Sequence, residues 1–146
     1  MISKKINYVI AVALILSAIG IYLLSTFTKI ERGYSAAQVA AGEAVFTKNC
    51  LVCHGVKGEG TANWQKPNAD GTYPPPPLNG TAHTWHHPFS VLKQTIKKGG
   101  VPLGGQMPAF EDTLSDEEIE NVIFYVQSQW SDKIYQTWLI KVEAPN

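Results

Sequence analysis

The segment Cys50-Leu51-Val52-Cys53-His54 restricts this chain more than any other. Cys50 and Cys53 are its only cysteines. Two thiols with a two-residue gap cannot staple a domain, so the spacing points to redox chemistry, a metal or a haem. On a helix, positions i, i+3 and i+4 share a face. Thiols so placed can bond the two vinyl groups of one porphyrin, with His54 beneath the iron as proximal ligand. C-x-x-C-H is the spacing of a c-type haem attachment site. Three rival readings explain less of the segment. A thioredoxin-like pair sits in a βαβ setting, and no such pattern is present. A structural zinc site needs two more ligands, for which His83, His86 and His87 are the spare candidates. A plain disulfide has no use for the adjacent histidine.

The 146 residues suffice for one globular domain of ordinary size. Positive charge gathers before residue 33, where Lys4, Lys5, Lys29 and Arg32 face only Glu31, and the remainder is mildly acidic. That balance makes nucleic acid a poor partner. From Ile6 to Phe27 there is no charged residue. This run amounts to about 33 Å of helix, enough for a bilayer core of roughly 30 Å. A cleaved signal peptide is the alternative, with candidate sites at Ala18-Ile19-Gly20 and Ser35-Ala36-Ala37. The apolar run continues through the first and stops well short of the second, which favours an uncleaved single-pass anchor. Lys4 and Lys5 before the span, against Lys29 and Arg32 after it, lean slightly towards a cytoplasmic N-terminus.

Beyond the anchor the patterning is helical. Ser35 and Gln38 fit a capping box, followed at helical spacing by Val39, Gly42, Val45 and Phe46. From Gly55 to Gly80 the periodicity disappears among glycines and the run Pro74 to Pro77, predicting a long surface loop. Pro88 opens another helix with Phe89, Leu92 and Ile96 on one face, ended by Gly99 and Gly100. Lys93, Lys97 and Lys98 line its exposed side, either as a solvated face or as a steering patch for an acidic partner. A glycine-rich loop, Val101 to Phe110, holds Met107. Ser115 and Glu118 form a second capping box ahead of the stripe Ile119, Val122, Ile123, Val126 and Trp130. No strand pattern is visible, so the expected class is all-α. The expected divisions are an anchor and joint over 1–32, a haem domain over 33–130 and an amphipathic tail over 131–146. The tail carries Ile134, Tyr135, Trp138, Leu139 and Val142 and is expected to pack back on the domain.

From about residue 36 to residue 130 the chain resembles the class I cytochromes c. Gly42 and Phe46 resemble the Gly-x-x-x-aromatic of that family's first helix, and Val122 and Tyr125 the apolar and aromatic pair of its last. Pro76-Pro77-Leu78-Asn79-Gly80 is similar to its Pro-x-Leu-x-Gly, and Gln106-Met107-Pro108-Ala109-Phe110 to its axial-methionine loop. The resemblance implies a cytochrome c fold of about four helices around one covalent haem c. In it the first and last helices cross at the glycine, the Pro76 carbonyl accepts a hydrogen bond from His54, and Leu78 packs on the haem. The proline-rich stretch from Gly60 to Pro75 departs from the family and leaves the haem edge there undefined.

Met1 lies beyond the anchor, so Met107 is the one usable thioether for the sixth position on iron; His83, His86 and His87 are its rivals. These histidines either hold a second metal or bond loop carbonyls and haem propionates. Trp85, beside them, either donates its indole N–H to a propionate or packs. With His54 and Met107 both bound, iron keeps no open position, which suits one-electron transfer rather than an enzyme of peroxide or gas chemistry. The expected role is a carrier tethered to the bacterial inner membrane, its haem domain on the periplasmic face. It would pass electrons between respiratory redox partners. The runner-up is a fixed haem subunit of an oxidase or dehydrogenase complex.

Overall fold

A computed structural model describes residues 2–27 and 30–144. Met1, Thr28, Lys29, Pro145 and Asn146 lie outside the described residues, and so does the sequence reading where it uses them. The chain divides into two compact units, Met1–Arg32 and Gly33–Asn146.

The first unit is one helix, α1 (Ile2–Phe27). Within it Ile6–Leu23 is long and apolar enough to cross a membrane, and none of it is buried in protein. Its exposed side chains, among them Ile10, Leu14, Leu16 and Leu23, suit a hydrocarbon surrounding.

The second unit is all helical apart from loops, with no strand among the described residues. Both capping boxes form. Ser35 and Gln38 start α2 (Ala36–Asn49), and Ser115 and Glu118 start α5 (Asp116–Ser128). A single turn, α3 (Leu51–His54), follows α2 after a break at Cys50. α4 (Phe89–Lys98) ends at Gly99, and α6 (Asp132–Trp138) continues into a π-helical turn, Leu139–Glu143.

α2 and α5 cross face to face. Gly42 sits at the crossing, and a methyl group there would overlap the Asn121 backbone carbonyl. Beside it Phe46 packs on Tyr125 with ring centroids 5.1 Å apart. Phe46 and Val122 are buried. Around Leu114, Ile119 and Ile123 the core takes in Val45, Phe89, Leu92, Ile96 and Phe110, which closes α4 onto α5. The obstacle at Gly42 is helix backbone, which cannot rotate away as a side chain can. Gly42→Ala is therefore expected to cost about 3 kcal/mol or more, the upper end for overpacking. Thermal or denaturant unfolding of the purified variant checks this.

The lysines of α4 are internally matched. Lys93 reaches Glu120 (2.6 Å) and Asp116 (3.0 Å), Lys97 reaches Asp116 (2.8 Å), and Lys98 reaches Glu111 (2.6 Å). They clasp α4 to α5 and the turn before it, and do not form an unmatched basic patch.

The tail packs on its own unit. Tyr135 and Trp138 are buried. The Tyr135 hydroxyl accepts from the Gly33 amide at 3.1 Å, and Tyr34 lies between Phe124, against which it is tilted, and Tyr135, which it meets edge-on. Trp138 donates to the His87 carbonyl at 2.9 Å. Glu143 accepts from the Phe89 amide at 2.7 Å, at the first turn of α4, where Pro88 supplies no side-chain cap.

Candidate cofactor site

The break at Cys50 sets up the motif. The Cys50 amide still bonds the Phe46 carbonyl of α2, while its own carbonyl accepts from the amides of Cys53 (3.2 Å) and His54 (2.9 Å). Both cysteines and the histidine therefore stand on one turn. Gly55, at φ +80°, ends it and turns the chain away. Cys50 and Cys53 form no disulfide. Burial, and then the neighbouring Cys53, push the Cys50 thiol up to about 11. A redox-active C-x-x-C pair has the opposite bias, towards the thiolate. Among the described residues no three or more His, Cys, Asp or Glu are grouped so that they could hold a metal ion.

His54 is 8% exposed. Its Nδ1 lies 3.1 Å from the Pro76 carbonyl oxygen. A carbonyl only accepts, so Nδ1 carries the proton and Nε2 keeps the lone pair. Burial lowers the imidazole pKa, and the Pro76 hydrogen bond opposes this more weakly. The ring is thus neutral at neutral pH, in the tautomer and protonation state of a metal-ligating histidine. On this observation the residues fit a haem held by two thioethers and one imidazole.

The remaining sequence-selected residues are placed as follows. Pro76 faces His54, and the amide of Leu78 donates to the Gly58 carbonyl at 2.7 Å. Met107 is half-buried, its carbonyl accepting from the Gly100 amide at 2.9 Å. The glycines against it are Gly99 and Gly100. A Cβ on Gly99, at φ +79°, would come 2.7 Å from the Met107 carbonyl oxygen, and one on Gly100 would come 3.2 Å from the Met107 Cβ.

Trp85 stands edge-on to His86, ring centroids 4.0 Å apart. His83 stacks on Trp64 at 4.9 Å and meets His87 edge-on at 5.4 Å. The three imidazoles pair with rings instead of converging on a point. Burial, and then His87 and His86, lower the His83 pKa.

Sequence reasoning missed what the loop between Gly60 and Pro75 does. Tyr73 donates its amide to the Gly104 carbonyl at 2.8 Å, and Tyr73 and Gly105 form an isolated parallel bridge. Gln106 Nε2 reaches Asp70 Oδ2 (3.1 Å) and Thr72 Oγ1 (3.0 Å). At the loop's other end the Thr61 amide bonds the Pro75 carbonyl at 2.9 Å. The departure from the family pattern is thus a strap between the His54–Pro76 region and the methionine loop. Asp70-Gly71-Thr72 was its one local sign, a turn signal whose distant partner no spacing rule supplies.

The model of the family described as cytochrome C oxidase, cbb3-type, subunit III matches residues 37–126. The chain belongs to that family of c-type cytochrome domains. The cytochrome is 32% identical over 98 residues to the cbb3-type cytochrome c oxidase subunit FixP of Bradyrhizobium diazoefficiens, covering 67% of this chain and 29% of that one. It thus spans under a third of the length of that relative. It is 30% identical over 114 residues to cytochrome c6 of Picosynechococcus sp., covering 78% of this chain and 92% of that one. Among solved structures, cytochrome CL of Methylophaga aminisulfidivorans MPT shares its fold, with a TM-score of 0.51 and 20% identity over 77% of this chain and 72% of that one. The family's cofactor is a covalent haem c, and the one C-x-x-C-H segment provides for a single one.

Proposed function

We propose that this cytochrome is a one-electron carrier tethered to the bacterial cytoplasmic membrane by α1, with its haem domain on the periplasmic face. The observation that carries the reading is the 3.1 Å contact of His54 Nδ1 with the Pro76 carbonyl, which calls for the proton on Nδ1 and leaves Nε2 as the ligand atom. Cys50 and Cys53, on the same turn, are the attachment points, and Met107 is the second axial ligand. Haem held by these residues would supply reversible one-electron transfer, with His54 and Met107 together leaving the iron no open position. The protein's part is to fix the His54 ring, bring up Met107 and exclude water, so that little need reorganise when the charge changes.

The partners are protein redox donors and acceptors of a respiratory chain. The second reading, a fixed subunit of a terminal oxidase, is supported by the likeness to FixP, named as an oxidase subunit. Absorption spectra of the membrane-purified protein, oxidised and reduced, test the carrier reading. A low-spin six-coordinate haem in both states, unreactive to carbon monoxide, is expected. High-spin ferric haem that binds peroxide would overturn it. Protease added to intact spheroplasts should remove the haem domain. Stoichiometric co-purification with an oxidase through a mild-detergent column would favour the second reading.

A further inference from the structure

The run from Pro75 to Leu78 offers four consecutive carbonyls, and each accepts from a different part of the fold. Pro75 takes the Thr61 amide (2.9 Å). Pro76 takes His54 Nδ1 (3.1 Å), Pro77 takes the Thr84 hydroxyl (2.9 Å), and Leu78 takes the indole N–H of Trp130 (2.8 Å). Besides His54, two of these donors are side chains sealed from solvent: Thr84 is 6% exposed and Trp130 2%.

We infer that Thr84 and Trp130 are positioning residues for the proximal ligand, clamping the carbonyls of Pro77 and Leu78 so that the Pro76 carbonyl stays aimed at His54. This rests on the reading of His54 as haem ligand. The proline rings fix φ through the run, so rotating one carbonyl means moving its neighbours. The Pro76 carbonyl lies between pinned positions on either side. Prolines 75 to 77 lack an N–H, so this stretch cannot be held by amide donation of its own before Leu78, whose amide bonds Gly58. Gly60 closes the remaining side: a Cβ there would come 2.8 Å from the Pro76 oxygen. The consequence is electronic as well as mechanical. A firm Nδ1–H···O bond gives the imidazole more anionic character, makes it a better donor and favours ferric iron. A slack one lets the potential rise.

The test uses the full-length, membrane-purified holoprotein. Trp130→Phe removes the donor and keeps the ring, and Thr84→Val removes the hydroxyl at nearly constant shape. The control is Trp138→Phe, which deletes an indole bond of the same kind from the tail, to His87, and keeps a ring against Trp130. Readouts are solvent exchange of the His54 Nδ1 proton by NMR of the ferrous protein, the midpoint potential and the unfolding midpoint.

In Trp130→Phe and Thr84→Val, exchange is expected to accelerate about tenfold, the worth of one hydrogen bond, and the potential to rise. Thr84→Ser should restore both. Trp138→Phe should lose comparable stability and leave exchange and potential unchanged. If the clamp variants match Trp138→Phe in exchange and potential, or their potential falls as water entry would make it do, the inference is overturned. Thr84→Val failing to fold leaves Trp130→Phe to decide. A wild-type spectrum without a histidine-ligated low-spin haem would instead remove the ligand reading, and the clamp with it.

Discussion

Alanine at both Cys50 and Cys53 is expected to give a polypeptide that retains no haem through a denaturing gel or acid–acetone extraction, where the wild type retains all of it. The thioethers are the only covalent links available, because these are the chain's only cysteines. His54 coordination alone is reversible and ends once the imidazole is protonated or the turn unfolds. Each single variant should keep haem by one bond, so the complete loss belongs to the double variant. A secondary loss of structure is expected too. The buried cluster at Leu114, Ile119 and Ile123 draws on α2, α4 and α5, and a lost haem would leave the residues that hold it without that packing partner. Haem staining of the gel and the far-ultraviolet spectrum read the two effects separately. Wild-type haem that extracts freely would refute covalent attachment.

Met107→Ala carries the other large effect. The thioether is a weak, soft ligand that favours ferrous iron. Without it the sixth position is expected to open, turning ferric haem high-spin and letting ferrous haem bind carbon monoxide. Met107→His should stay low-spin with a lower potential. The expected shift is on the order of 100 mV, a fraction of the ~0.8 V that axial ligands command. Gly99→Ala should act in the same direction as Met107→Ala, since the added carbon would meet the Met107 and Pro108 backbone. Ferric absorption and redox titration of each variant are the measurements. A Met107→Ala protein that remains low-spin at the wild-type potential would pass the sixth position to His83, His86 or His87.

The parts of this fold readable in the sequence are those whose cause is local. The two capping boxes pair residues three apart, and the C-x-x-C-H turn is complete within five residues. Gly42 was legible as a close approach through the family resemblance, which puts a glycine where the first and last helices cross. What escaped has a partner that no local pattern supplies. Trp130 reads as the last apolar residue of a stripe, yet its indole bonds a carbonyl 52 positions away. Thr84, in a stretch dominated by three histidines and a tryptophan, gives no sign that its hydroxyl holds Pro77. In the methionine loop the sequence draws the eye to Gly104 and Gly105. Gly104 instead faces the Tyr73 ring, and the glycines that Met107 needs are those that end α4. The lysines of α4 looked equally fit for solvent or for a partner, because the acids that match them enter only when α5 is laid alongside.

The Glu143 carboxylate at the start of α4 makes two distant stretches into one cooperative unit. α4 has ten residues, too few to hold helical form alone in water. Lys97 and Lys98 complement the negative end of its dipole. The positive end is complemented by a side chain 54 positions downstream, with the Trp138 indole tying the same corner to His87. Fraying of the last turn would therefore uncap α4, and opening of α4 would strand Glu143. Native-state amide exchange should find residues 89–98 and 132–143 sharing one opening free energy and one denaturant dependence. The loop bearing Met107 leaves from the far end of that same helix, so a loosened C-terminus would be felt in the loop proposed to supply the second iron ligand.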